Sequence, residues 1–507
     1  MSGVFSWTNA AILALAVTVL SRSLWRRKSV PLPPGPPKIP LLQNLLDMPA
    51  SHEWLTFAEW GKKWGDIVSI SIFGQQMIIL NSVNHAVEML DKRSAIYSER
   101  PVMQMGGELV GWKNTLVLLP YGDRFRNFRK LFHNTIGSQA AATRFHPVQE
   151  VESKHFLKRL LDAPDELASH IRRSTGAVIL RISHGYDVRE KDDPYITLAE
   201  EALEQFSLST APGGFLVNLI PPLRHIPEWF PGASFRKTAK KWADTLNTLV
   251  EMPHQYVKKQ MELGTAKASF TSQLLDSANL TVEEEEDIKW SAASLYSGGA
   301  DTTVSATYAM FLACVLNPDK AKKVQQELDE VVGSTRLPTF ADRKNLPYTN
   351  AFVLEVFRWF TTIPTGFPHV VQEDNIYEGY FIPKGAVVIA NIWHMLHDPD
   401  IYQDPFSFKP ERFLGSKPER DPRNICFGFG RRYVCRHNRR ELAEASVFIT
   451  TATSLAVFDI TKCSGDGDGA IPKIEQTTGI ISHPKPFACL IKPRSQKALE
   501  IINEEAQ

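Results

Sequence analysis

Two cysteines, a glycine-rich turn and five arginines stand together in CFGFGRRYVCRHNRRELAEA, residues 426–445, ahead of an apolar run with helical character. A cysteine in such a setting is structural, or a metal ligand, or the relic of a site that no longer works; a ligand would act as the thiolate. A second stretch, YSGGADTTVSA at 296–306, puts Gly298 and Gly299 inside a helical pattern, where each costs about 1 kcal/mol relative to alanine. Missing side chains let something large approach the backbone, and Asp301 followed by Thr302 and Thr303 offers proton chemistry in an apolar wall. A helix–helix crossing through small residues accounts for the glycines equally well. In LEVFRWF, 354–360, Glu355 and Arg358 are three apart and share a helix face. Their flanks are apolar on nearly every side, and buried charges need further partners. Arg412, in the proline-marked FKPERF at 408–413, is a candidate.

These residues need a mainly helical frame to position them. Helical patterning covers 123–136, 147–161, 195–207, 233–262, 283–315, 319–331 and 347–359, with the acidic VEEEED at 282–287 capping or facing a helix. IVSISIFGQQMIILNS alternates around Gly74 and predicts a hairpin. No βαβ alternation suggests a nucleotide fold, and no flavin or nicotinamide motif is present. The 507 residues suffice for one very large domain or two or three ordinary ones, and 43% hydrophobic residues imply a substantial core. A net charge of +1 argues against electrostatic nucleic-acid binding. Five cysteines without a CxxC pair do not form a disulfide framework. At the N-terminus an apolar stretch precedes Arg22, Arg26, Arg27 and Lys28. This order predicts an uncleaved anchor with its N-terminus lumenal and the body cytosolic. PLPPGPPKIP, 31–40, follows as a stiff connector.

Taken in order, the four patches resemble the cytochrome P450 family over essentially the whole chain, in its fungal microsomal form, near O-methylsterigmatocystin oxidoreductase-like and tryptamine 4-monooxygenase-like enzymes. The resemblance implies a mainly α fold with minor β structure, preceded by an N-terminal transmembrane helix. It divides the chain into an anchor (1–28), a proline-rich hinge (29–41), one catalytic domain (42–500) and a C-terminal tail (501–507). It implies haem b as cofactor, with Cys435 as axial iron ligand and Phe427, Gly430 and Arg432 in the ligand loop. Asp301 and Thr302 become proton-relay residues. Glu355, Arg358 and Arg412 become a buried structural network. In YGDRFRNFRK, 121–130, Arg129 matches a haem-propionate contact, with Phe125 where tryptophan is usual, and His369 of TGFPHV matches a second contact. Val117, Ile363 and Phe367 fall at pocket-lining positions. The implied reaction is monooxygenation of a small apolar or aromatic secondary metabolite. NADPH-cytochrome P450 reductase would supply electrons, with cytochrome b5 as an auxiliary donor. The implied location is the endoplasmic reticulum bilayer as a single-pass protein, without a nucleic-acid partner.

The ligand loop departs from the family pattern. Phe427, Gly430 and Arg432 fit, but Val434 stands where the cysteine belongs, and Cys435 comes one residue late. His437 replaces the glycine two places beyond the cysteine, and the following helix resumes about two residues later again. Metal sites tolerate such shifts poorly, so a catalytically silent, haem-deficient protein of the same fold is the alternative expectation.

Overall fold

A 35-residue helix, Val282–Leu316, runs through the middle of the molecule. Thr281 caps it: its hydroxyl accepts from the Glu284 amide, and the Glu284 carboxylate accepts from the Thr281 amide. The acidic run therefore forms its first turn, where the helix dipole favours negative charge. From Ser291 onward almost every turn is buried. Helices Leu167–His184, Asp123–Ile136, Pro347–Trp359 and Asn438–Val457 pack around it. The structure, a computed structural model, describes residues 30–136, 143–211, 213–277, 279–432, 438–463 and 472–505.

The β structure is minor. Strands Ile67–Ile72 and Gln75–Leu80 form the expected hairpin, in register from Ile67 opposite Leu80 to Ile72 opposite Gln75. Phe73 and Gly74, both at positive φ, make its two-residue turn. Val387–Ala390 adds in parallel to Gln75–Leu80, and His369–Val370 pairs antiparallel with Val387–Ala390. This short edge strand fixes His369 at the margin of the helical body. Two further two-stranded sheets join Asn375–Tyr377 to Tyr380–Ile382 and Phe458–Thr461 to Leu490–Pro493.

The expected helices are present as Asp123–Ile136, His146–Asp162, Pro194–Thr210, Ser234–Glu262, Val282–Leu316, Pro318–Val331 and Pro347–Trp359. The fold is therefore mainly α, as expected. The membrane element of that expectation requires correction. Among the described residues, the one helix long and apolar enough to cross a bilayer is Val282–Leu316, in mid-chain, and not a segment at the N-terminus. Its most apolar window is 78% buried inside the protein, so its hydrophobicity serves the core. The anchor expected at 1–28 lies outside the described residues, and the single-pass endoplasmic reticulum topology built on it is not upheld.

Candidate active site

The central helix forms one wall of a mostly apolar cavity through Ser297, Gly298, Gly299, Thr302 and Thr303. The turn Phe427–Phe429 and the helix residues Leu442 and Ala443 line the same cavity. Val117, Ile363 and Phe367 line it as well. Both readings of the double glycine hold: both residues line the cavity, and Gly299 also sits at a helix crossing. A Cβ on Gly299 would lie 3.0 Å from Ile179 Cδ1, so Gly299 lets helix Leu167–His184 close on the central helix. Gly298 lines the cavity, and its carbonyl accepts the Thr302 hydroxyl at 3.0 Å.

Asp301 does not share the cavity with Thr302. Its Oδ2 lies 3.2 Å from His483 Nε2. Consecutive helix positions are about 100° apart, which separates the acid from the alcohol that follows it. His483 lies in SHPKPF, a stretch without any spacing signal in the sequence.

Three basic side chains meet at one edge of the cavity: Arg100, His369 and Arg432. Arg432 donates through Nε to Ser98 O at 2.7 Å and through Nη1 to Leu119 O. Its guanidinium lies 4.3 Å from the centroid of Phe125, so the phenylalanine at the usual tryptophan position serves as a cation–π platform. Burial holds Arg432 down to about 10, with Glu99 opposing the shift. Arg100 donates to Val117 O at 3.0 Å and to Phe367 O and Pro368 O at 2.7 Å. Its Nη2 has no hydrogen bond among the described residues. Burial, and then the charge of Arg432, lower its pKa well below the arginine range. His369 directs Nδ1–H at Tyr97 O, 2.7 Å away. Burial, then Arg100, push its pKa well below the usual histidine value. Glu99, 3.5 Å from Arg432, is the one carboxylate paired into this edge among the described residues. Two buried guanidiniums set against one acid leave the edge electron-poor, as a flat apolar ligand with carboxylate arms requires.

Arg129 is half-buried, absent from the cavity wall, and without a hydrogen bond or ion pair among the described residues. Arg100 occupies the edge, and sequence reasoning missed it because a lone arginine before a proline carries no periodic signal. Phe427 packs against Phe357, with ring centroids 5.7 Å apart. Gly430 turns at φ +78°, donating its amide to Asp91. Cys435 and His437 lie outside the described residues.

Glu355, Arg358 and Arg412 come together as one buried network. Arg358 grips Glu355 at two points, Nε–Oε2 2.7 Å and Nη2–Oε1 2.8 Å, and both side chains are fully buried. Arg412 Nε lies 3.1 Å from Glu355 Oε2, and the Lys409 amide donates to Oε1 at 2.7 Å. The remaining guanidinium hydrogens reach the carbonyls of Leu396, Pro405 and Gln403 and the Glu419 carboxylate.

The cytochrome P450 family model matches residues 33–491. The chain is 51% identical to Cytochrome P450 monooxygenase 208 of Postia placenta, over 98% of this chain and 96% of that one. It is 44% identical to Cytochrome P450 monooxygenase claR of Ampulloclitocybe clavipes, over 98% of this chain and 92% of that one. With Cytochrome P450 monooxygenase CLM2 of Gibberella zeae it shares 40% identity, over 97% of this chain and 94% of that one. With the helix, the turn and the basic edge gathered on one cavity and these relatives matched end to end, the chain belongs to the cytochrome P450 family, among its fungal monooxygenases.

Proposed function

We propose that this P450 inserts one oxygen atom from O2 into a small apolar or aromatic secondary metabolite. Electrons would come from an external NADPH-cytochrome P450 reductase, with cytochrome b5 as an auxiliary donor. The supporting observation is the gathering of Thr302, the Phe427–Phe429 turn and the basic edge on one cavity. Haem b, the family's cofactor, supplies the oxygen-activating chemistry when bound, and an axial thiolate favours O–O cleavage.

The basic edge is of the kind that the carboxylates of that group need. Arg100, His369 and Arg432 would take its carboxylates, with Arg129 as a further proposed contact, while Phe427 and Gly430 shape the turn leading to the proposed ligand Cys435. Thr302 would hold a proton at Oγ1 beside the cavity, and Asp301 would replenish it. Glu355, Arg358 and Arg412 would stiffen the half of the proposed 42–500 catalytic domain that carries the turn.

The order of residues after Arg432 favours a second reading, a P450 fold that holds haem poorly. Cys435 stands one place late, and His437 offers an imidazole where a glycine belongs. The reduced, carbon monoxide-bound spectrum tests both readings. The red-shifted Soret band of thiolate ligation supports the monooxygenase. A blue-shifted band, or no haem uptake, supports the silent protein. A second chain, shortened so that cysteine follows Arg432 by two and glycine follows cysteine by two, completes the comparison. Thiolate ligation in the shortened chain alone assigns the defect to this loop. Equal thiolate spectra and equal turnover in both establish Cys435 as a working ligand.

A further inference from the structure

Most polar groups on the cavity wall are already engaged. Thr302 and Thr303 donate to the carbonyls of Gly298 and Gly299, four residues earlier, at 3.0 and 2.8 Å. Thr362 accepts from Ser305 at 3.3 Å. Arg100, His369 and Arg432 belong to the basic edge. Ser446 Oγ accepts from Gln149 Nε2 at 2.8 Å, which leaves two wall groups without a hydrogen bond among the described residues. Trp112 is 2% exposed and is the one tryptophan on the cavity among the described residues. Its indole N–H has no hydrogen-bond acceptor among the described residues. Elsewhere, Trp290 Nε1 donates to Glu286 at 2.7 Å and Trp359 Nε1 to Phe406 O at 3.3 Å. Trp112 Nε1 keeps accessible surface although the ring around it is buried, so it is open to an acceptor that the described residues do not supply. The second group is the Ser297 hydroxyl. Ser294 donates back to Trp290 O at 2.7 Å, but Ser297 makes no such bond among the described residues.

These two groups belong to segments that the fold ties together. The Leu116 amide donates to Ser294 Oγ at 3.0 Å, which fastens the segment beginning at Trp112 to the central helix. Ser297 lies three residues beyond Ser294, on the same helix face. Phe206 packs against Trp112, with ring centroids 4.7 Å apart, and lines the cavity beside it. Among the described residues no carboxylate lines the cavity, so an ammonium group would find no counter-charge from them, and burying an unpaired charge is prohibitive.

We infer that the substrate is a neutral, largely apolar molecule carrying an oxygen acceptor, such as a carbonyl, and that Trp112 Nε1–H, with Ser297 as a second donor, recognises that oxygen. This rests on the cavity being the substrate site of the proposed monooxygenase. It predicts discrimination against the bare hydrocarbon of the same skeleton, because a hydrogen bond left unmade in a buried site is costly.

The test is equilibrium binding of two probes, α-tetralone and tetralin, to the full chain, to Trp112→Phe and to Ser297→Ala. Calorimetry reads affinity without turnover, and the haem content of each preparation is measured alongside. Trp112→Phe keeps the ring and removes the N–H. It is expected to weaken α-tetralone about tenfold while leaving tetralin unchanged. Ser297→Ala is expected to weaken the ketone selectively by a smaller factor. Equal weakening of both probes by Trp112→Phe would assign Trp112 a packing role only and overturn the inference. Unchanged ketone affinity in Trp112→Phe, or no binding of either probe to the parent chain, would overturn it as well. Low haem content with a selective loss of the ketone would count against the monooxygenase and not against the recognition of oxygen.

Discussion

His483 Nε2 holds the carboxylate of Asp301 at 3.2 Å, while the next residue, Thr302, faces the cavity and donates its hydroxyl to Gly298 O at 3.0 Å. Acid and alcohol are thus neighbours in sequence with separate partners. In haem-loaded protein, Thr302→Ala should lower the fraction of reducing equivalents that reaches product, with the balance appearing as peroxide. Its thermal stability should barely change, because one hydroxyl bonded within its own helix is lost. Asp301→Asn should slow the same stage by roughly 100-fold or more, the range of a group acting in proton transfer. Unaltered coupling in Thr302→Ala with the true substrate would remove the proton-relay assignment.

The Glu355 network makes a prediction that needs no haem. Every charge in it is buried and partnered, so removing one member strands the others. Glu355→Gln should cost about 3–5 kcal/mol of unfolding free energy, read from urea denaturation. Arg358→Lys should not be conservative, because an ammonium cannot reproduce the two-point grip on Glu355 and the reach to Leu396 O and Pro405 O. A loss below about 1 kcal/mol in either variant would mean that the network is not structural.

Gly430 and Gly428 form a controlled pair. Both sit at positive φ, +78° and +90°. A Cβ on Gly430 would stand 2.4 Å from Leu90 O, whereas one on Gly428 meets nothing within 4 Å. Gly428→Ala should therefore cost about 1–2 kcal/mol, from backbone conformation alone. Gly430→Ala should cost clearly more and should free the Asp91 contact, since backbone must move. Equal losses in the two variants would contradict the close approach of Gly430 to Leu90.

What could be read from the residues follows from how local each signal is. Helix Val282–Leu316 announces itself through a long helical pattern that follows an acidic run, and the Glu355–Arg358 pair through its spacing. Both are properties of neighbouring residues. Helix Leu167–His184 lies outside the expected helices, although it packs along the central helix and meets Gly299 through Ile179. Arg100 and His483 were missed for a different reason. Each gains its place from a chain segment far away: Arg100 from the carbonyls of Phe367 and Pro368, and His483 from Asp301. No periodicity encodes a contact across hundreds of residues. The membrane expectation is not upheld for another reason: among the described residues the one helix long and apolar enough to cross a bilayer is Val282–Leu316, which the core buries, and not a segment at the N-terminus.

The last prediction concerns acid. His184 and His397 are buried, and each is held down to about 3 from an ordinary 6.5. For His184 the cause is burial and then the charge of His254; for His397 it is burial and then Arg358. His397 directs Nδ1–H at Trp393 O, 2.7 Å away, and stacks on the Trp393 ring. The unfolded chain would protonate both rings below pH 6.5, while the folded chain resists until about pH 3. The unfolded state therefore binds more protons in that window, and stability rises with pH. The contribution is complete above pH 6.5 and is lost progressively as pH falls toward 3, at up to about 1.4 kcal/mol per pH unit for each ring. Asp342, held at about 2 by Arg336, adds its own loss only below its ordinary 3.8. Glu411, held at about 2, against its burial, by Lys323, Tyr348 and Lys320, adds its loss below its ordinary 4.5, so the interval between 6.5 and 4.5 isolates the buried histidines, His369 among them, from these acids. Urea midpoints measured across the interval should fall steadily for the parent chain. A His184→Asn, His397→Asn double variant should be less stable at neutral pH but show a flatter dependence. The slope is the readout, because lost packing lowers the whole curve without tilting it. A double variant with the parent's slope would mean that these two rings do not set the acid limb.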